Sequence, residues 1–551
     1  MMSYTLPQTI PTSAALRGMS PPGVDGFLVQ TGGYGAASDA GAGLFSWVAG
    51  ATNPDDDWLW TCPTGYNGTG RFRRVGSNKL SVLDFGADRS GNVDTTQAIY
   101  NTFVKAAIAH KGVYFPSGKY LIGSAGTAAW LNWVVYSGCV ISGDGMGDTV
   151  IKLADNGDSY FRLIGHSDSV QGVTIRDLTI DQNATNNQSQ KILELDPTGT
   201  NFILVYLSPA SNAVVRDCEF RDVYGVNTIV IGGGSGNVVK GNVISSNPIN
   251  AGRYYDNSAI YVDSANFQVV NNTVTGNATG KVISEFQSDP YPPVSVSGIE
   301  VHGGPAMVSG NNVQGFVHAA NVVNGTYVDD SIGCGITVTH NNFYLCNNGV
   351  VLFANPGTTF RGAHITNNHM LLDLRTITWT NVLGVGFTPQ AGCGFEDFSI
   401  TDNTISFLAP PATSLRADAV AGIGFPFVGE ATFNLIRIRN NTILRAPNMG
   451  IALRGTSWSN SEIVSNTIID AGVGNCATAD HRSALYADNA PWSQVDIHDN
   501  RIKYTGASAG RCAHSAYLQP ASGSVRNSFT RNSVVSGFSI DQSINEDITQ
   551  S

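Results

Sequence analysis

The chain has 551 residues, of which 13% are charged and 62 are glycine, and its formal net charge is -11. Few charges and many turn-forming residues suit a β-rich repeat array better than a helical bundle, and the acidic balance argues against nucleic-acid or membrane-surface partners. No apolar run reaches the ~18 residues of a membrane span, and the eight cysteines lack the paired spacing of a zinc site. No membrane insertion, metal or other cofactor is therefore expected. The N-terminus shows no charged stretch followed by an apolar core, so no signal peptide is evident.

Residues 1–78 are rich in Gly, Ala, Ser and Pro and read as short strands and turns, a small N-terminal module or cap. A helix is predicted from Asp94 or Thr95 to Ala109. Either side chain can accept from free amides at a helix start, and Ile99, Phe103, Ala106 and Ala107 recur at helical spacing. Such a helix would cap the exposed strand edges of a solenoid. Gly112 to Pro116 reads as a strand, with a turn over Ser117 to Tyr120.

From Val140 onward the chain repeats. Strands of alternating Val or Ile end in corners such as Arg176-Asp177, Arg216-Asp217, Gly241-Asn242, Asn271-Asn272, Asn311-Asn312, Asn341-Asn342, Asp402-Asn403 and Arg531-Asn532. Their spacing, roughly 24 to 40 residues, is that of solenoid repeats. Asn tolerates the left-handed backbone of a sharp corner, and stacked Asn side chains can bond along the axis, so these residues read as structural. Gly280 to Val296, Phe316 to Ile332 and Asp373 to Gly394 read as loops inserted between coils. The pattern extends over residues 79–538, and 539–551 reads as a tail with no sizeable domain after it.

The chain is organised around two copies of one pattern between Ser258 and Val313. Ser258 to Asp263 in the first copy matches Ser297 to His302 in the second. If the copies stack as neighbouring coils, Tyr261 lies over Glu300 and Asp263 over His302. Alternation turns Ile260, Val262, Ile299 and Val301 inward and gathers the four polar residues on one outer face. Asp263 and Glu300 are then separated by roughly 8 Å on the diagonal between coils. Inverting glycosidases hold their carboxyls about 6.5–9.5 Å apart, so Glu300 and Asp263 are the candidate catalytic pair. Tyr261 and His302 are candidate substrate-binding groups. Glu300, beside the Pro-rich 280–296 loop, is expected to be the drier acid and Asp263, near His302, the ionised base. Further along, Arg454 falls over Asp488 beside Tyr486. This trio reads first as a cross-strand ion pair and second as a sugar-binding set, with His481 and Arg482 close in sequence. Asp181 and Asp222 are weaker carboxylate candidates.

Two segments resemble a known family. Asp84-Phe85-Gly86-Ala87-Asp88 ahead of the helix, with Pro116-Ser117-Gly118-Lys119-Tyr120 after it, is similar to the opening of pectate-lyase-like proteins. Residues 9–75, with Gly41-Ala42-Gly43-Leu44-Phe45-Ser46-Trp47 and Gly70-Arg71-Phe72-Arg73-Arg74, resemble the segment ahead of the β-helix in bacteriophage tailspikes. The resemblance implies an all-β, right-handed parallel β-helix that works as a homotrimer, on a virion tail or otherwise outside the cell, and binds and cleaves a surface polysaccharide. Paired carboxylates favour glycosidic hydrolysis. β-Elimination on a uronic-acid polymer and a non-catalytic carbohydrate-binding spike are the alternatives.

Overall fold

Period-two alternation of apolar and polar residues makes β-strand the dominant element of the described residues. The computed structural model describes residues 6–550 apart from 38–40, 57, 77–78, 124–129, 157–159, 167, 188–201, 248–256, 280–294, 325–334, 375–381, 389, 409–419, 425–430, 473, 475–479, 489, 506–512, 523, 535–537 and 541–543. The loop expected at 280–296 thus falls almost wholly outside the described residues. The chain divides into two units, residues 1–195 with 213–221, and residues 196–212 with 222–551.

In the first unit, strands Gln8–Thr12, Leu28–Gly33, Leu44–Val48, Arg71–Arg74 and Trp60–Thr61 form one sheet in that order. Its alternating buried positions supply a core of Val29, Phe45, Trp47 and Phe72. The Asp-Phe-Gly-Ala-Asp segment has a structural task here. Asp84 accepts from Arg74 Nη1 at 3.1 Å and from the indole of Trp58 at 3.3 Å, and it closes a capping box with Ser81. Burial pushes its carboxyl above the usual range, and the Arg74 guanidinium works against that shift. Gly86 follows in the left-handed region at φ 84°, which favours glycine. The helix spans Thr96–Ala109, with the Asp94 carboxylate accepting from the Thr96 amide at 2.7 Å. Ile99, Phe103 and Ala106 are buried, and Phe103 stacks on Trp133. The segment expected to be a turn at Ser117–Tyr120 is mostly strand, Gly118–Ile122, because it pairs in register with Thr149–Leu153.

The second unit has the right-handed parallel β-helix fold. One long strand per coil stacks into a parallel sheet, among them Asn227–Ser235, Ser258–Ala265, Ser297–His302, His318–Val323 and Asn348–Phe353. Two shorter strands per coil form a second stack, as in Phe267–Val270 and Thr273–Thr275 over Ala306–Ser309 and Asn312–Gln314. Ile260, Val262, Ile299, Val301, Ala320 and Val322 point inward and are fully buried, each large side chain contributing about 1.5–3 kcal/mol. Asp373 to Gly394 is not simply a loop, since Val382–Thr388 is a strand of the first stack. Pairing also continues past Phe538: Ile544–Gln550 lies against Asn527–Val534.

The Asn corners form a continuous ladder. Asn242, Asn272, Asn311, Asn341, Asn368, Asn403, Asn441, Asn466, Asn500 and Asn532 are buried. Each but the last donates its backbone and side-chain N–H to the amide oxygen of the next, at 2.9–3.1 Å. The left-handed conformation belongs to the preceding residue, as at Asn271, Gly310, His340, Asn367 and Asp402. Two adjacent positions thus divide the corner's work: one bends the chain, the other bonds along the axis.

Candidate active site

Strands Ser258–Ala265 and Ser297–His302 pair in parallel with Tyr261 across from Glu300 and Asp263 across from His302. The expected juxtaposition is present, and the outer face it occupies is largely covered. Asp263 is 0% exposed and Glu300 4%, while Tyr261 and His302 are half-buried. Asp263, not Glu300, is the drier carboxyl, which reverses the basis on which acid and base roles were expected. His302 also serves the other carboxylate: its Nε2 lies 2.8 Å from Glu300 Oε1. Against an ionised carboxylate, which only accepts, Nε2 is the donor of this contact, and a neutral imidazole in that tautomer keeps its lone pair on Nδ1. The Tyr261 ring packs on the His302 ring at 5.0 Å between centroids.

Three further residues complete the surroundings, none of them singled out from the sequence. Ser258 donates its hydroxyl to Glu300 Oε2 at 2.5 Å and is itself held through its amide by Asn227 Oδ1 at 2.9 Å. His318 belongs to the same register column as Ser258 and Ser297, and its Nδ1 lies 3.1 Å from Asn348 Nδ2. Burial pushes His318 down to about 4, and the Glu300 carboxylate works against that shift. Asn321 lies directly across from Glu300 on the next coil. A usable signal did exist for Ser258, since serine opens both copies of the repeat. His318 and Asn321 come from a coil that does not share the pattern, so spacing offered no pointer to them.

The second constellation lies on the same face farther along. Arg454 Nε donates to Asp488 Oδ1 at 2.8 Å, and the Tyr486 hydroxyl donates to Asp488 Oδ2 at 2.9 Å. Tyr486 stacks nearly parallel on Tyr517 at 5.5 Å, and His481 meets its edge at 4.9 Å. Tyr486 is 2% exposed and Arg454 7%, so this is a packed ion-pair network with little open surface. Burial pushes the Tyr486 phenol far above its ordinary range, with Asp488 adding to the shift. Among the weaker candidates, Asp181 accepts from the Asn183 amide at 2.9 Å, a local turn contact, and Asp222 accepts from the Asn247 side chain, 25 residues further along the chain, at 2.9 Å. Among the described residues, no cluster of three or more His, Cys, Asp or Glu could hold a metal ion, and no helix is long and apolar enough to cross a membrane.

Comparison with known proteins bears on this geometry. Residues 80–303 match the family described as rhamnogalacturonase A/epimerase, pectate lyase-like, and this stretch ends just past His302. Alginate lyase 7 of Azotobacter vinelandii is 34% identical over 149 residues, covering 26% of this chain and 17% of that protein. Mannuronan C5-epimerase AlgE4 of the same organism is 33% identical over 115 residues, covering 20% of this chain and 21% of its own length. The chain therefore spans less than a quarter of the length of these curated relatives. A mutant tailspike protein of E. coli bacteriophage HK620 shares the fold with a TM-score of 0.51 at 14% identity, over 87% of this chain and 75% of that one. The pectate-lyase-like parallel β-helix expected from residues 80–123 and from the Asn corners is thus the observed fold.

Proposed function

We propose that the protein cleaves a polysaccharide by proton transfer at the Tyr261–Glu300–His302 patch, through β-elimination on a uronic-acid polymer. The observation that carries this reading is the 2.8 Å contact of His302 with Glu300 beside the Tyr261 ring. It leaves an imidazole and a phenol, both suited to moving protons, as the more accessible groups, while both carboxyls are buried. In the reaction, His302 Nδ1 takes the proton from the carbon next to the substrate carboxylate. That electron pair forms the new C=C bond as the glycosidic C–O bond breaks, and Tyr261 gives a proton to the departing oxygen. Glu300 orients the imidazole and stabilises it once charged, and Ser258 fixes Glu300. The local similarity to an alginate lyase and a mannuronan C5-epimerase supports this reaction class.

Hydrolysis by Glu300 and Asp263 is the second reading, and one observation favours it. The register neighbours Val230, Gly232, Asn321 and Val323 offer no Lys or Arg to neutralise a substrate carboxylate. In that case the fully buried Asp263 donates the proton and Glu300 activates water, the reverse of the expected assignment. Arg454, Tyr486 and Asp488 take a supporting part in either reading, shaping the far end of the same face. The discriminating experiment incubates the purified protein with alginate, pectate and a panel of capsular and O-antigen polysaccharides. Elimination produces ultraviolet-absorbing unsaturated ends in step with new reducing ends; hydrolysis produces reducing ends alone. Binding without either product marks a non-catalytic spike. We also propose a homotrimer on a virion tail or otherwise outside the cell, supported by the tailspike-like sequence of residues 9–75. A monomeric mass by light scattering at working concentration contradicts it.

A further inference from the structure

Outside the candidate active site, the second stack of strands carries a concavity of about 290 Å³, near the lower end of small-ligand sites. Two register columns line it. One runs Thr273, Asn312, Asn342, His369; the other runs Thr275, Gln314, Tyr344. The outward side chains are hydroxyls, amides, an imidazole and a phenol, and none is an Asp, Glu, Lys or Arg. Asn342 donates to Asn312 Oδ1 at 2.9 Å, which orders the amides along the axis. Tyr344 is 47% exposed on its strand. Farther along the same stack the outer face changes character: Arg437 pairs with Asp397 at 2.6 Å, and Arg439 pairs with Glu462. The groove's own columns stay uncharged over the next coils, through Thr404, Thr442 and Thr467 and through Ser406, Leu444 and Ile469, until Arg501 and Lys503.

We infer that this groove is a second, non-catalytic binding site for a neutral oligosaccharide. Polar groups repeat along the axis at the ~4.8 Å spacing of stacked strands, presenting donors and acceptors to successive hydroxyls of a chain laid across the coils. An exposed tyrosine offers an apolar ring face to a sugar and a hydroxyl at its tip. A nucleic acid or an anionic polymer requires cations that the lining lacks. A second copy of the chain needs about 800 Å² of complementary surface per partner, a flat demand that a small concavity does not meet. The inference goes beyond the proposed catalytic reading and stands without it.

The test titrates the full-length chain, its Glu300→Gln variant, and the groove variants Tyr344→Ala and Thr275→Glu with neutral dextran-, cellulose- and mannan-derived fragments and with alginate fragments. Both groove positions are exposed, so circular dichroism and melting are expected to match the parent. The expected result is that at least one neutral fragment binds the parent and Glu300→Gln equally. Each groove variant weakens it about tenfold or more and leaves turnover unchanged. The inference is overturned if no neutral fragment binds, or if binding survives both groove variants. It is also overturned if binding is lost in Glu300→Gln alone, which places the sugar in the active site and leaves the catalytic reading standing. A groove variant that changes the sedimentation mass overturns it as well, marking a contact between copies.

Discussion

Two polar clusters occupy the outer face of one parallel sheet, and their carboxylates differ chiefly in the company they keep. Glu300 is held by the Ser258 hydroxyl and the His302 imidazole. Asp488 is held by the Arg454 guanidinium and the Tyr486 phenol. Both are substantially buried, with side-chain exposures of 5% and 16%. A guanidinium does not give up its proton in a protein, so the Arg454–Asp488 pair is fixed in charge. An imidazole is the side chain suited to exchanging a proton near neutrality. Burial of a carboxylate therefore does not separate the two clusters; the proposed reading rests on the ability of its partner to change protonation.

The comparison breaks first at turnover. Glu300→Gln and His302→Asn are each expected to lower kcat by about 10² or more, and the double variant to be little worse than either single one, because the pair acts as a unit. Turnover on the true substrate, with melting curves as control, checks this. Asp488→Asn should show the opposite profile. It leaves the Arg454 charge buried without its anion, costing about 3 kcal/mol in denaturant unfolding, while turnover falls far less than in Glu300→Gln.

A smaller effect is expected outside both clusters. Asn403→Ala removes the oxygen that accepts from Asn368 and the amide that donates to Ile365 O and Asn441. Stranding these buried partners is expected to cost about 1–3 kcal/mol with catalysis intact, read as a shifted urea midpoint. A further effect is pH-dependent. His318 has a folded value of about 4, below its ordinary 6.5. Between these values the unfolded chain takes up a proton that the folded chain refuses. Its stabilising contribution is whole above 6.5 and is lost as pH falls toward 4. Urea midpoints across that window should decline, and His318→Asn should flatten the decline.

Register was legible because both copies of the repeat alternate strictly and start with serine, so Tyr261 over Glu300 followed from counting. The Asn ladder was legible for the same reason, although the division between the bending residue and the bonding residue was not: Gly310 and His340 fill the left-handed position as readily as Asn271 does. The burial of Asp263 could not be read from alternation, which assigns a face to a side chain and says nothing of what covers that face. His302 was expected to serve Asp263, its register partner, yet it reaches Glu300 two residues away on its own strand. Side-chain direction along the strand, not backbone pairing, decides that contact. His318 belongs to a coil whose sequence breaks the repeat, and only the register column connects it to Ser258.

The most direct test of the central claim is the stoichiometry of ultraviolet-absorbing unsaturated ends to new reducing ends on the polysaccharide that the protein cleaves, measured for the parent and for His302→Asn. Proton transfer through His302 predicts one unsaturated end per cleavage in the parent, and loss of both signals together in the variant. Reducing ends without unsaturation, or cleavage that persists in His302→Asn, would contradict it.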